Sequence, residues 1–273
     1  MRHLPCDARV RGAGWSDLAD ELDRWKDAER VATLWWRDDD ATVPSNELER
    51  LLATAAGVPI ALAVIPALAD DRLSTWLTAF IRSTSAARLA ILQHGWRHVN
   101  HVLDGKKSEF PAGRSCRAVA SDLVAGRARL TTLFGNRALG VLVPPWNRFD
   151  ASFLTLITSC GLGAISCVKP RHAAWPVSDV AEVNIHVDLV AWVGGRGFIG
   201  EEAALGGLVG HLRARRQGRV DAEEPTGILT HHLIQDEATN AFLLRLIAIT
   251  CAHPAARWLE ATEVFANSIT ARG

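Results

Sequence analysis

Tyrosine is absent from this chain, methionine occurs once, and charge of one sign is never in excess, with Lys+Arg and Asp+Glu both at 30. Without tyrosine, any proton-transfer step falls to His, Asp, Glu, Lys or Cys. The zero net charge favours neither nucleic acid nor an anionic membrane as a partner. The five cysteines, Cys6, Cys116, Cys160, Cys167 and Cys251, are odd in number and form no C-x-x-C pair. They read as reduced, mostly buried thiols of a cytosolic protein. The first 25 residues hold no apolar core of a secretory signal, and no stretch is apolar for long enough to span a bilayer, so a cytoplasmic location is expected. There is no G-x-S-x-G elbow to present a serine nucleophile and no G-x-x-x-x-G-K-[ST] loop to cradle phosphates. Internal repeats, low-complexity tracts and linkers are missing too.

What is present is ample apolar material: 48% hydrophobic residues in 273 positions. Short apolar runs predict strands over Val31–Trp36, Val58–Ile65, Arg88–Gln93, Leu139–Val143, Gly163–Val168, Val183–Val187 and Gly227–Thr230. Amphipathic segments predict helices over Ser16–Arg30, Ser45–Ala55, Asp70–Ser83, Ser115–Phe134, Asp150–Cys160, Glu201–Arg215, Asp236–Cys251 and near Ala261–Ser268. Ser16, Ser45, Asp150 and Asp236 stand where N-caps are expected. Alternating β and α elements with nearly continuous apolar strands predict an α/β fold of parallel strands covered by helices. About seven strands suit a barrel, preferred here over an open sheet. Residues 1–30 form a helical extension ahead of a barrel domain spanning 31–273.

The polar clusters fall at one class of position. Asp38-Asp39-Asp40 follows the first strand. His94-Gly95-Trp96-Arg97-His98, with Asn100 and His101, follows the third. Pro144-Pro145-Trp146-Asn147-Arg148 follows the fourth, Asp188 the sixth, and His231-His232 the last. In a barrel the C-terminal strand ends share one rim, which carries the active site. Two histidines spaced i, i+4 aim at one ion from the same face of a helical turn, and a carboxylate completes a set of two histidines and one carboxylate for zinc or a similar divalent ion. Each cluster alone has a plain structural reading: a capped turn for the aspartates, a rigid turn for Pro144-Pro145, a polar edge for the histidines. Their convergence favours a metal-dependent hydrolase.

Other motifs fit worse. His94–His98 has zincin spacing, but Gly95 stands where that motif needs glutamate. Gly195–Gly200 matches G-x-G-x-x-G late in the chain, without the acidic residue a dinucleotide site requires, and reads as a flexible loop. The basic run Arg213–Arg219 reads as a solvated helix end.

From Val31 onward these motifs resemble the polysaccharide deacetylase family, the NodB-homology carbohydrate esterases, and the extended pattern HGWRHVNH is similar to a divergent branch of it. The resemblance implies a distorted (β/α)7 barrel and a divalent metal, most often zinc. It implies Asp39 as general base and Asp40, His94 and His98 as metal ligands, with Asp38 allowing a register one residue away. Val143 stands where the family carries an arginine before Pro-Pro, and Arg148 is the expected substitute for orienting the base. Pro145, Trp146, Asn147 and His232 are expected to contact substrate. Asp188, near Trp192, is expected to orient the general acid, His231, with His232 its adjacent competitor.

The implied activity is removal of acetyl groups from an N-acetylated sugar or glycoconjugate small enough to be reached in the cytosol. Hydrolysis of another non-peptide C–N bond on a small amide is the alternative within enzymes. A non-catalytic carbohydrate-binding barrel, with ten Trp as stacking platforms, is the alternative outside them. No nucleic acid and no membrane span enter the reading, and the sequence sets no oligomeric state.

Overall fold

The computed structural model describes residues 13–84 and 88–266. Its strands are β1 (Ala32–Ala41), β2 (Ile60–Val64), β3 (Leu89–His94), β4 (Ala138–Val143), β5 (Ala164–Ile165), β6 (Ala181–Glu182), β7 (Val187–Asp188), β8 (Thr226–Thr230) and β9 (Ala256–Trp258). Its helices are α1 (Trp15–Asp27), α2 (Asn46–Thr54), α3 (Asp71–Thr84), α4 (Cys116–Phe134), α5 (Leu156–Ser159), α6 (Glu201–Arg216), α7 (Glu237–Ala252) and α8 (Ala261–Val264). All strand pairs are parallel, in the order β6-β5-β4-β3-β2-β1-β8-β7, with β9 beside the start of β1.

That order closes on itself, because β6 and β7 belong to one extended run. Its first half bonds to β5 and the segment after it: Val183 N–H donates to Ile165 O at 3.2 Å and Ile185 N–H to Cys167 O at 3.0 Å. Its second half turns to β8: His186 N–H donates to Gly227 O at 2.8 Å and Leu189 N–H to Leu229 O at 3.0 Å. Counted once, this run makes seven staves, and the fold is the distorted (β/α)7 barrel that the alternating pattern predicts.

Side chains alternate along each stave. Trp35, Ala61, Ala63, Leu92, Val141, Val143 and Leu229 fill the lumen. Leu34, Trp36, Leu62, Val64 and Ile228 face the helices instead. Small alanines on β2 leave room in the lumen for Trp35 and, above it, Arg37.

Several expectations need correction. β1 runs on through Asp38–Asp40 rather than ending at Trp36, and β9 carries no run long enough to be read from sequence. The segment expected as a helix from Asp150 breaks into a short turn over Ala151–Phe153 and then α5. Ser45 and Asp236 cap α2 and α7, whereas α1 starts after Gly14, whose N–H donates to Asp17 at 2.7 Å, so Ser16 is inside the helix. The basic run is a docking seam, not a solvated end. Arg216 forks onto Glu21 at 2.7 and 3.0 Å, and Arg215, 2% exposed, donates to Thr33 O and Oγ1, both at 2.8 Å. These contacts, with buried Leu18, Leu22 and Trp25, hold α1 on α6 against the barrel wall. Cys160 is buried, but Cys116 and Cys251 are exposed. Cys6, and Asn267 and Ser268 of the expected last helix, lie outside the described residues. No helix of the described residues is long and apolar enough to cross a membrane.

Candidate active site

β1 delivers three consecutive aspartates to three different places. Strand alternation turns Arg37 and Asp39 inward and Trp36 and Asp38 outward. Asp38, fully buried, accepts from Thr230 Oγ1 at 2.7 Å and pairs with His232 Nδ1 at 2.6 Å behind the sheet. The ladder to β2 shifts register between Asp38 and Ala41, and Asp40 has a φ of 73°. This bulge breaks the alternation and carries the Asp40 carboxylate to the rim.

β3 ends at His94, and no helical turn follows, contrary to the expected origin of the histidine pair. Gly95 and His98 both take left-handed backbone, with φ of 59° and 58°. A Cβ on Gly95 would overlap Glu109 Oε2 and lie 2.7 Å from Pro145, so only glycine fits. The Glu109 carboxylate, 1% exposed, accepts the N–H groups of Trp96 and Arg97 at 3.1 and 2.8 Å and pins the turn.

The turn brings His98 beside His94, with ring centroids 5.1 Å apart and planes at 49°. Asp40 Oδ1 lies 3.0 Å from His94 Nε2 and 3.4 Å from His98 Nε2. Donors bound to zinc at about 2.0–2.1 Å in a tetrahedron stand roughly 3.3 Å apart. His94 Nδ1 is 3.0 Å from Val143 O, so the ring donates there and turns the Nε2 lone pair toward the Asp40 carboxylate. In the neutral ring two acceptors face one another and call for a cation between them; without an ion, a proton on His94 Nε2 takes that place and bonds to Asp40. Burial pushes the Asp40 carboxyl upward, but the His94 hydrogen bond and the charges of His94, His98 and His231 outweigh it and hold it well below the usual carboxylate range. The residues fit a divalent ion.

A second His/Glu group among the described residues, His186, His211 and Glu224, does not fit one. Its two imidazoles lie face to face, centroids 3.4 Å apart and 17° from parallel, so their in-plane lone pairs run side by side and do not converge.

Asp39 is held differently. Arg37 Nε donates to Asp39 Oδ1 at 2.8 Å and Arg37 Nη2 to Asp39 Oδ2 at 3.0 Å, a bidentate fork with Arg37 fully buried and Asp39 2% exposed. Arg37 also donates to Ser166 Oγ at 2.8 Å and Asn147 Oδ1 at 2.7 Å. Arg148, expected as this partner, instead donates to Lys107 O at 2.8 Å. The guanidinium missing from position 143 is thus supplied from β1 into the same lumen.

One pocket, of about 350 Å³, is lined by Asp39, Asp40, His94, His98, Trp146, Asn147, Arg148, Asp188, Trp192, Arg196, His231 and Ile234. Asp38 and His232 lie outside it, which separates each from its neighbour in sequence; His232 touches Asp38, not the pocket. Pro145 also stays outside, buried against Gly95. Trp146 packs on His98 with centroids 4.3 Å apart, and Trp192 meets the His231 ring edge-on at 4.8 Å. Asp188 does not bond to His231. Its carboxylate accepts from Trp192 Nε1 at 2.7 Å and Val190 N–H at 3.0 Å, so it reaches His231 through the indole. Burial lifts the Asp188 carboxyl above its ordinary value against those two donors.

Reading for motifs missed Arg37, Glu109 and Arg196. Arg37 was recoverable: on any strand an arginine two residues before an aspartate shares its face. Glu109 and Arg196 leave no comparable signal.

No protein-family model matches the chain, and no curated protein matches it. Solved structures do. A Mycobacterium smegmatis protein described as a polysaccharide deacetylase is 16% identical with a TM-score of 0.58, over 89% of this chain and 92% of its own. A CE4 esterase from Streptococcus mutans is 14% identical with a TM-score of 0.55, over 88% and 90% of the two chains. The chain has the polysaccharide-deacetylase fold.

Proposed function

We propose that this protein is a metal-dependent hydrolase that removes the acetyl group from an N-acetylated sugar or glycoconjugate. One observation carries the reading: Asp40, His94 and His98, spaced for a divalent ion, share a pocket with Asp39 and His231. The likeness in fold to polysaccharide deacetylases supports it. Zinc is the ion such a set of two imidazoles and one carboxylate favours, and it supplies Lewis acidity and a more acidic water.

The chain's own residues do the rest. Asp39, oriented by the Arg37 fork, accepts the proton of the water whose oxygen bonds to the amide carbon. His231 donates a proton to the leaving nitrogen as the C–N bond breaks, releasing acetate and a free amine. Trp192 fixes the His231 ring, and Asp188 fixes Trp192. Trp146 walls the acyl side.

The test is metal content and acetate release. Elemental analysis should find one divalent ion per chain, lost in His94→Ala. Asp39→Asn should keep the ion and lose about 10²–10⁴-fold in turnover on acetylated amino sugars. A wild-type protein that takes up neither zinc nor cobalt would falsify the reading.

A further inference from the structure

The barrel order divides the pocket mouth into two halves. The Asp40, His94 and His98 group stands over β1 and β3, on either side of β2. Across the mouth, β4 and the run of β6 and β7 stand on either side of β5, and the loops that follow them carry Arg148 and Arg196 into the same pocket. Neither arginine has an acidic partner among the described residues. Arg148 makes a hydrogen bond to a backbone carbonyl, and the Arg196 side chain has no hydrogen bond or ion pair among the described residues. Some arginines elsewhere are matched, as Arg171 is with Asp221 and Arg114 with Asp122, both at 2.8 Å; Arg148 and Arg196 are unmatched and line the pocket. The pocket acids are not available to them: Asp39 is held by Arg37, Asp40 by the histidines, Asp188 by Trp192.

Arg196 is also held in place. It lies on a loop closed by Ala191 N–H to Gly197 O at 2.8 Å and Arg196 N–H to Ala191 O at 3.1 Å. The loop is tied to α7 by Phe198 N–H, which donates to Asp236 Oδ2 at 3.2 Å. Arg196 itself has a φ of 52° between two glycines. The run Gly195–Gly200 therefore presents a cation at the mouth. It is a loop, as its composition predicts, closed by its own backbone bonds.

We propose that Arg148 and Arg196 form an anion subsite that selects substrates bearing a phosphate or carboxylate beyond the acylated amine. Guanidinium forks match either group bidentately, and Trp146 and Trp192 wall the space between the cations and the acyl end. For that acyl end the proposal rests on the hydrolase reading.

The test is calorimetric binding to the zinc-loaded full chain. The ligands are N-acetylglucosamine, its 6-phosphate, and N-acetylmuramic acid, whose charge is a carboxylate. At least one charged ligand should bind tenfold or more tightly than the neutral sugar, and which one does so distinguishes the two anions. The preference should shrink to under threefold in Arg148→Gln/Arg196→Gln, and fall with added salt. The double variant should melt with the parent, since these side chains hold no tertiary ion pair. Equal binding of all three ligands overturns the proposal. So does a preference that survives the double variant, because the anion is then held by the metal. If no ligand releases acetate while the arginine-dependent preference stands, the hydrolase reading falls and the subsite remains. If the neutral sugar is bound and hydrolysed as well as the charged ones, the subsite falls and the hydrolase reading remains.

Discussion

Replacing Arg37 with methionine keeps much of the aliphatic stem and removes the fork. Six acceptor atoms lose a donor: both oxygens of Asp39, Ser166 Oγ and O, Cys167 O and Asn147 Oδ1. The Asp39 carboxylate, 2% exposed, is left with no described counter-charge in contact. Breaking a buried ion pair from one side costs about 3–5 kcal/mol. For a chain of this size that is roughly 6–20 °C in melting temperature. Arg37→Lys keeps a charge but not the planar fork, so it should fall between the two. Urea unfolding followed by tryptophan fluorescence gives the number, and Asp39→Asn completes a double-mutant cycle. The coupling energy between the two positions should exceed about 2 kcal/mol. Arg148→Gln is the contrast: its hydrogen bond to Lys107 O is near the surface, and its loss should cost under about 1 kcal/mol. An Arg37→Met variant within about 1 kcal/mol of wild type would refute the claim that this fork holds Asp39.

Gly95→Ala should destabilise by at least about 1–3 kcal/mol from backbone strain alone, with the clash against Glu109 added, and should lower zinc affinity; a variant with normal melting and normal zinc binding would show the turn to be pliant. Glu109→Gln keeps one acceptor oxygen for the two N–H groups it now serves, so zinc affinity should drop about 10-fold or more while the fold survives, as read by competition with a chromophoric chelator. His211 gives an acid sensitivity with a fixed sign. Burial, with the neighbouring charges of His186 and Arg215, lowers its pKa to about 2 in the folded chain. The unfolded chain therefore binds the extra proton below about pH 6.5, and stability falls as the pH drops. At pH 5 the loss is roughly 2 kcal/mol, and His211→Asn should remove that part of the slope in urea titrations at pH 7.5 and 5. An unchanged slope would mean that His211 titrates normally.

The barrel was legible because parallel staves announce themselves as apolar runs, and all seven overlap those runs. The seventh, Ala181–Asp188, contains the run Val183–Val187 but changes partners halfway along, Val183 and Ile185 bonding toward β5 and His186 toward β8. No propensity encodes that. β9 is three residues long, set by a partner distant in sequence. The rim was legible because polar clusters stand where the apolar runs end. Which aspartate went where was not. The order of Asp38, Asp39 and Asp40 in space depends on a bulge whose only local trace is a left-handed Asp40, and aspartate tolerates that conformation without demanding it. The sequence likewise offered His98 as one helical turn beyond His94, when two left-handed residues and a buried glutamate perform the convergence.

The placement of Arg37 follows from the same strand geometry. Trp35 and Arg37 both lie in the lumen, and the Arg37 guanidinium stands beside Asp39. Supplying it from β1 places donor and acceptor two residues apart on one stave, so their spacing is set by the roughly 3.3 Å rise of the strand rather than by the packing of one strand on another. An arginine on β4 would depend on the β3–β4 register, which is irregular here between Ile91 and Gln93. Val143 fills the lumen apolarly, and its carbonyl orients His94. One strand thus sets the proposed base and its positioning cation, and the Val143 carbonyl sets a proposed ligand. The valine at position 143 is therefore no evidence against the proposed hydrolase, because Arg37 gives Asp39 a bidentate guanidinium from β1.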